Sequence, residues 1–293
     1  MQRSLSIPHA VPPRRSSRGR RRLSGASMYT LLLLLVVIFG GPFMWLVITA
    51  LKTPAEMAAF PVQFLPSHAA WQNFVQAFTT INFLAYATNS LLLSTVYATL
   101  VSLSSALVGF GFARLQGRGK RPLFLIMLST LMLPQIVTLI PTYVLFARFN
   151  LINTYWPWVL WGLAASPFLV FLFRQFFSAI PLELEEAAII DGCGYARIFW
   201  RIFLPLSTPV LVTAFLLSFT SVWGDYITPS LFLNQDNTTL AVAISAGYAD
   251  AHGNALANVQ AAGALLYIVP EVVIFFFAQR YFVRGIVTSG LKG

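Results

Sequence analysis

Residues 180–205 read IPLELEEAAIIDGCGYARIFWRIFLP, with an acidic opening, two glycines and an apolar close, set between long hydrophobic runs. Pro181 suits a first helical turn, and Glu183, Glu185 and Glu186 follow it where the positive end of a helix dipole favours carboxylates. Ala187, Ala188, Ile189 and Ile190 carry that helix to Asp191. Gly192 and Gly194 then break it, because glycine accepts the left-handed backbone that ends helices. In the next helix Ile198, Phe199, Ile202 and Phe203 form an apolar stripe, Arg197 and Arg201 lie four apart on another face, and Leu204 and Pro205 close the segment. The pattern predicts a projecting helical hairpin, shaped either to enter a groove on another protein or to lie on a lipid surface.

Outward from the hairpin the chain is strongly apolar. Of its 293 residues 57% are hydrophobic and 10% charged, and the mean hydropathy is +0.74, more apolar surface than a soluble domain can hide. About 20 apolar residues cross a hydrocarbon core of about 30 Å, and six stretches qualify: 28–51, 88–112, 123–146, 155–173, 209–226 and 261–282. The expected fold is all-α, a polytopic membrane protein with six transmembrane helices. Pro134, Pro141 and Pro167 fall inside these stretches. A proline frees a backbone carbonyl, which is tolerated at membrane depth where neighbouring helices or water satisfy it, so the kinks fit a pathway or ordinary bundle packing.

Six crossings place both termini on one side, and the basic residues say which. Of 19 Lys and Arg, all but Lys52 and Arg148 fall in the N-terminal tail, the second and fourth connections and the C-terminal tail. That excess marks the cytoplasmic side, so both termini are expected there, and the net charge of +10 is topogenic, with no nucleic-acid partner implied. Residues 1–27, rich in Arg, Ser and Pro, read as a disordered basic cytoplasmic tail. A basic run before an apolar one also resembles a signal peptide, but the run 28–51 exceeds the usual 7–15-residue core, which favours an uncleaved first span. A lone cysteine, Cys193, excludes disulfides within the chain, and His9, His68 and His252 are too scattered for a metal site. There is no phosphate-binding glycine loop, zinc-binding histidine pair or nucleophile elbow, so no cofactor and no enzymatic activity are expected of this chain.

Glu186-Ala187-Ala188, then Gly192, then Ile202, Leu204 and Pro205 at their observed spacing resemble the loop that marks permease subunits of ATP-binding-cassette (ABC) importers. Residues 28–293 would then be a type I permease domain, with this coupling loop at about 181–209 and a C-terminal cytoplasmic tail at about 283–293. The resemblance implies that Glu186, Ala187, Ala188, Asp191, Gly192, Ile202, Leu204 and Pro205 dock on a cytoplasmic ATPase, Glu186 meeting a basic residue. Asn89-Ser90, Gly111-Phe112-Ala113-Arg114 and the ending Gly290-Leu291-Lys292-Gly293 extend it to the carbohydrate branch, the ending being similar to that of the maltose transporter's second permease subunit. By that likeness Lys292 and Gly293 reach the ATPases. ATP and Mg would sit on two ATP-binding subunits, with a second, homologous permease completing a heterodimer. An extracytoplasmic solute-binding protein facing 52–87 and 231–260 would deliver a sugar.

The residues expected on a substrate path are Asn89, Trp223, Asp225 and Glu271. Relatives commonly have Trp-Asn where this chain has Trp223-Gly224, so Asp225 either supplies the missing polar contact or is a solvated helix end. Glu271, beside Pro270 in an apolar stretch, is a carboxylate that must face inward to a partner or water, or serve as a ligand. The expected mechanism is alternating access driven through the hairpin. The alternatives are an importer of glycerol phosphate, polyol or peptide, and an ion-driven secondary carrier, which would need intramembrane ion ligands.

Overall fold

The computed structural model describes residues 18–289, with side chains described from 27 to 279. Lys292, Gly293 and the arginines before Arg18 lie outside the described residues. The first helix, α1 (Arg18–Ala50), starts ahead of the expected span, so residues 18–27 of the expected disordered tail are helical. Short helices α2 (Pro54–Ala58) and α3 (Gln72–Thr79) lead to α4 (Phe83–Arg114), the central helix of the bundle.

Next come α5 (Lys120–Ser129) with a 3-10 turn to Met132, α6 (Gln135–Arg148), α7 (Trp156–Leu163) and α8 (Pro167–Ser178). The hairpin contributes α9 (Glu183–Ile190), α10 (Tyr195–Ile198), a π-helical turn (Phe199–Phe203) and α11 (Leu204–Leu206). The chain continues through α12 (Thr208–Trp223), α13 (Ile227–Phe232), α14 (Leu240–Ser245) and α15 (Ala257–Ser289).

Among the described residues four helical segments are long and apolar enough to cross a membrane: Ser27–Ala50, Phe83–Arg114, Trp156–Ser178 and Ala257–Gln279. Two bent pairs bring the number to six, and at Pro134 the expected kink is a sharp break. The stretch 123–146 is not one rod, because the helix ending at Met132 and α6 meet at 99°. The cause is Pro134, whose ring drives Leu133 into extended backbone (ψ 118°). Tyr195–Leu206 and α12 likewise meet at 79°, so the hairpin's last helix lies across the foot of the fifth span. Pro167 opens a third break, between α7 and α8, with Ser166 extended (ψ 126°) and Ala165 left-handed (φ 61°). Pro141 sits inside α6 without ending it.

Small residues let the helices close up. A Cβ on Gly109 of α4 would lie 2.7 Å from Phe173 Cβ of α8, and one on Gly162 of α7 would lie 2.8 Å from Leu100 Cβ of α4. This is the close backbone approach that drives association in lipid, where apolar burial gives no bias between helix and acyl chain. At the end far from the hairpin, Asn73 Nδ2 donates to the carbonyls of Ala50 and Lys52 (both 2.8 Å), and Asn258 Nδ2 to Asn73 Oδ1 (2.9 Å). The end of α1, α3 and the start of α15 are thereby tied into one buried knot.

Candidate functional site

Two places combine exposed chemistry with a rigid frame: the hairpin and a cavity where helices break. In the hairpin, residues three or four apart share a face. Glu185 and Ala188 turn inward and are each 7% exposed, whereas Glu186, Ala187 and Ile190 turn outward, Ile190 being 86% exposed. The inward face rests on an aromatic cluster. Phe199 and Phe203 both pack on the Phe110 ring of α4, at 5.3 and 5.0 Å between centroids, and Phe177 of α8 packs on it from another side at 6.1 Å.

The stripe passes through a π turn. Leu204 N–H donates to Phe199 O, five residues back, and Pro205 has no N–H and would press its ring on the Arg201 carbonyl in a regular α turn. Ile198, Phe199 and Phe203 of the expected stripe are buried and Ile202 is half-buried, while Arg197, Arg201 and Pro205 are exposed.

Arg114, the last residue of α4, fastens the hairpin to the bundle. Its Nη2 donates to Phe177 O (2.6 Å) and to Ile180 O, satisfying carbonyls at the end of α8 and just beyond it, and its guanidinium lies 4.9 Å over the Phe203 ring. Nη1 meets Glu185 Oε2 at 3.5 Å, with side-chain exposures of 5% and 9%. That contact is ionic without hydrogen-bond geometry, and neither Arg114 Nε nor Glu185 Oε2 has a hydrogen-bond partner among the described residues. Asp191 and Gly192, with Gly192 left-handed at φ 79°, form the exposed elbow between the two arms.

The cavity, about 350 Å³, opens where the three breaks converge: the start of α6, the α7–α8 break and the α12–α13 break. A second hollow of about 250 Å³ shares Gln135, Leu139, Ser221, Asp225 and Thr228 with it. Irregular backbone at membrane depth is stable where it lines such a space. The α12 helix of 16 residues sets the cavity ~24 Å from the hairpin, and the 12 residues of α8 give ~18 Å, within the span of a bilayer core.

The cavity wall is mixed. Gln135, Thr138 and Thr142 follow one face of α6, opposite Ser221, Asp225 and Thr228, and Trp158 and Trp161 pack edge to face at 5.7 Å beside them. Asp225 Oδ1 accepts from Thr228 N–H (3.1 Å), capping α13, and no hydrogen bond among the described residues engages Oδ2. The lining holds this carboxylate and no cation.

Of the residues expected on a substrate path, Asp225 lies on this wall and three others lie elsewhere. Asn89 donates to Thr238 O (3.1 Å). Trp223, 1% exposed, stacks between Phe219 and Tyr267, accepting on its carbonyl from Tyr267 Oη (2.5 Å). Glu271 is half-buried on α15 with no hydrogen bond or ion pair among the described residues. Gln135, Thr138, Thr142, Trp158 and Trp161 were not singled out from sequence, although the spacing of the first three after Pro134 is a polar stripe that could have been read.

A family model described as "Binding-protein-dependent transport system inner membrane component" matches residues 98–288. The probable ABC transporter permease protein YurM of Bacillus subtilis is 32% identical over 253 residues, 86% of this chain and 83% of that protein. The arabinooligosaccharides transport system permease protein AraQ of Halalkalibacterium halodurans is 33% identical over 256 residues, 86% and 91% of the two chains. In fold, the chain is similar to a chain in the crystal structure of a bacterial ABC transporter involved in the import of the acidic polysaccharide alginate. The TM-score is 0.77 at 19% identity, covering 94% of this chain and 100% of that one.

Proposed function

The chain belongs to the family of binding-protein-dependent transport system inner membrane components, and from that premise we propose that it is the permease of an ABC importer for a neutral sugar. One observation carries the coupling half of this reading: a hairpin keyed to the bundle on one face and bare on the other. A buried ion pair and an aromatic cluster fix the inward face, so a force applied to Glu186, Ala187 and Ile190 is delivered to α4 and α8 as a unit. The partner is an ATPase subunit in the cytoplasm, with Glu186 as the charged contact and ATP and Mg held on that partner. Both termini lie on the same side as the hairpin, as the distribution of Lys and Arg implies. Residues 28–293 form the permease body, and Lys292 and Gly293 extend it toward the ATPases.

The cargo half rests on the cavity's chemistry and on relatives such as AraQ, whose name specifies arabinooligosaccharides. The half-buried Trp161 indole suits the apolar face of a pyranose ring, and Gln135, Thr138, Ser221 and Asp225 offer donors and acceptors for its hydroxyls. A carboxylate with no cation beside it repels a phosphate, which disfavours glycerol phosphate. A second, homologous permease completes the pathway, two ATP-binding subunits power it, and an extracytoplasmic solute-binding protein delivers the sugar. Closure of the ATPases tilts the hairpins and turns the paired bundles from inward- to outward-facing.

The test is co-purification and uptake. The full chain assembled with its partner subunits in proteoliposomes should take up sugar only with ATP. Glu186→Lys should release the ATPase while leaving the chain in the membrane. Uptake that persists without the ATPase would refute the reading.

A further inference from the structure

On the hairpin side of the bundle, four cations border two adjoining hollows between the end of α4, the start of α5 and α8. The larger, about 500 Å³, is lined by Lys120, Arg121, Phe124 and Arg174. An adjoining one of about 370 Å³ carries Arg118 and Lys120 against Val108 and Leu123. Among the described residues the one ion pair joins Arg114 to Glu185, so none of these four cations has a carboxylate partner.

Two of the four are held in place. The Arg174 guanidinium lies 4.1 Å over the centre of the Phe124 ring, which is itself buried, and Lys120 Nζ donates to Leu115 O (2.6 Å). Their positive charges are near enough to repel each other. The amino end of α5 opens beside them with no side-chain cap, Gly119 being left-handed at φ 81°, so its backbone N–H groups add partial positive charge. Two half-buried cations with no counter-charge leave an electrostatic vacancy for an anion. The apolar wall of Val108 and Leu123, both exposed, runs from the cations onto the outer surface of the bundle.

We propose that these hollows together bind the phosphate of an anionic phospholipid from the leaflet on the hairpin side, its acyl chains lying along Val108 and Leu123. A free phosphate would use the cations and leave the apolar wall bare, whereas a lipid satisfies both. The lipid would brace α5 against α4 and α8 on the side where the hairpin is fastened. The inference rests on the chain's place in the membrane and is independent of cargo and of coupling.

Native mass spectrometry of the assembled transporter, titrated with phosphatidylglycerol, phosphatidylcholine or inorganic phosphate, tests it. We expect one phosphatidylglycerol to bind about thirtyfold more tightly to the unaltered protein than to Lys120→Gln/Arg174→Gln, the effect of two surface-facing charges. Because Arg174 stacks on a buried ring, Arg118→Gln/Arg121→Gln, at exposed positions, serves as the second variant and should weaken binding in the same direction. Phosphatidylcholine should bind both forms alike and weakly, and millimolar phosphate should leave the lipid in place. Equal phosphatidylglycerol affinity in the unaltered protein and both variants would overturn the proposal. So would phosphatidylcholine binding as tightly, or displacement by inorganic phosphate, which would make this a free-anion site.

Discussion

Replacing Arg114 with Met strips a buried carboxylate of its counter-ion and two helix-end carbonyls of their donor. Removing one partner of a buried pair destabilises by about 3–5 kcal/mol, because the remaining charge is left uncompensated. With both side chains below a tenth exposed, solvent screening does little to soften this. The loss is local: Glu185 sits on α9, so the hairpin loosens from α4 and α8 before the bundle itself opens. A loss of about 3 kcal/mol makes detachment about 150-fold more frequent. Hydrogen exchange reads it at the amides of Asp191 and Cys193, which donate to Ala187 O and Ala188 O at the end of α9, a short helix that frays once its inward face leaves the bundle. In Arg114→Met these amides should exchange about two orders of magnitude faster, while amides in the middle of α4 hold their protection. Arg114→Met/Glu185→Leu should lose at least ~1 kcal/mol less than the sum of the single changes, since an apolar pair tolerates the site. Additive losses would show that the ion pair is not what fastens the hairpin.

Asp225→Asn keeps the cavity's shape and removes its charge, so the KM for sugar should rise modestly. Trp161→Ala removes an indole face and should weaken transport about tenfold or more through KM, with unchanged KM in both variants refuting the cavity as the sugar path. Gly109→Ala forces a methyl to within 2.7 Å of Phe173 Cβ, and thermal unfolding in detergent should show a loss of about 1–3 kcal/mol, which Gly111→Ala, whose methyl would meet only Leu115 Cδ1 at 4.0 Å, should not. Hydrogen bonds from the Ser67 hydroxyl and from the backbone of Thr53 and Ser67 hold the Glu56 carboxyl near pKa 2, below its ordinary 4.5. A depressed carboxylate contributes stability that is complete above pH 4.5 and fades as pH falls toward 2. Proteolysis of the 56–67 loop should therefore quicken over that window, and a Glu56→Gln chain that shows the same pH response would rule the clip out.

The hairpin was readable because its information is local: helix start, glycine stop and apolar stripe lie within 26 consecutive letters. The prolines at 134 and 167 announced breaks for the same reason. Which of two adjacent glutamates faces the bundle was not readable, since Glu185 and Glu186 are chemically alike and only the position of Arg114, some seventy residues earlier, separates them. The cavity was hidden more deeply. Its wall is assembled from α4, α6, α7 and the α12–α13 break, and a single sequence does not say that three interruptions meet at one depth. Periodicity also missed the π turn, although Phe199 and Phe203, four residues apart, meet one ring as the stripe implied.

That doubled grip on Phe110 governs the kind of motion the hairpin can transmit. A helix touching the bundle through one side chain could pivot there and dissipate a push, whereas Phe199 and Phe203, one turn apart, straddle a single ring and block that pivot. Torque arriving at the elbow is therefore refused, and displacement alone passes upward into the helices.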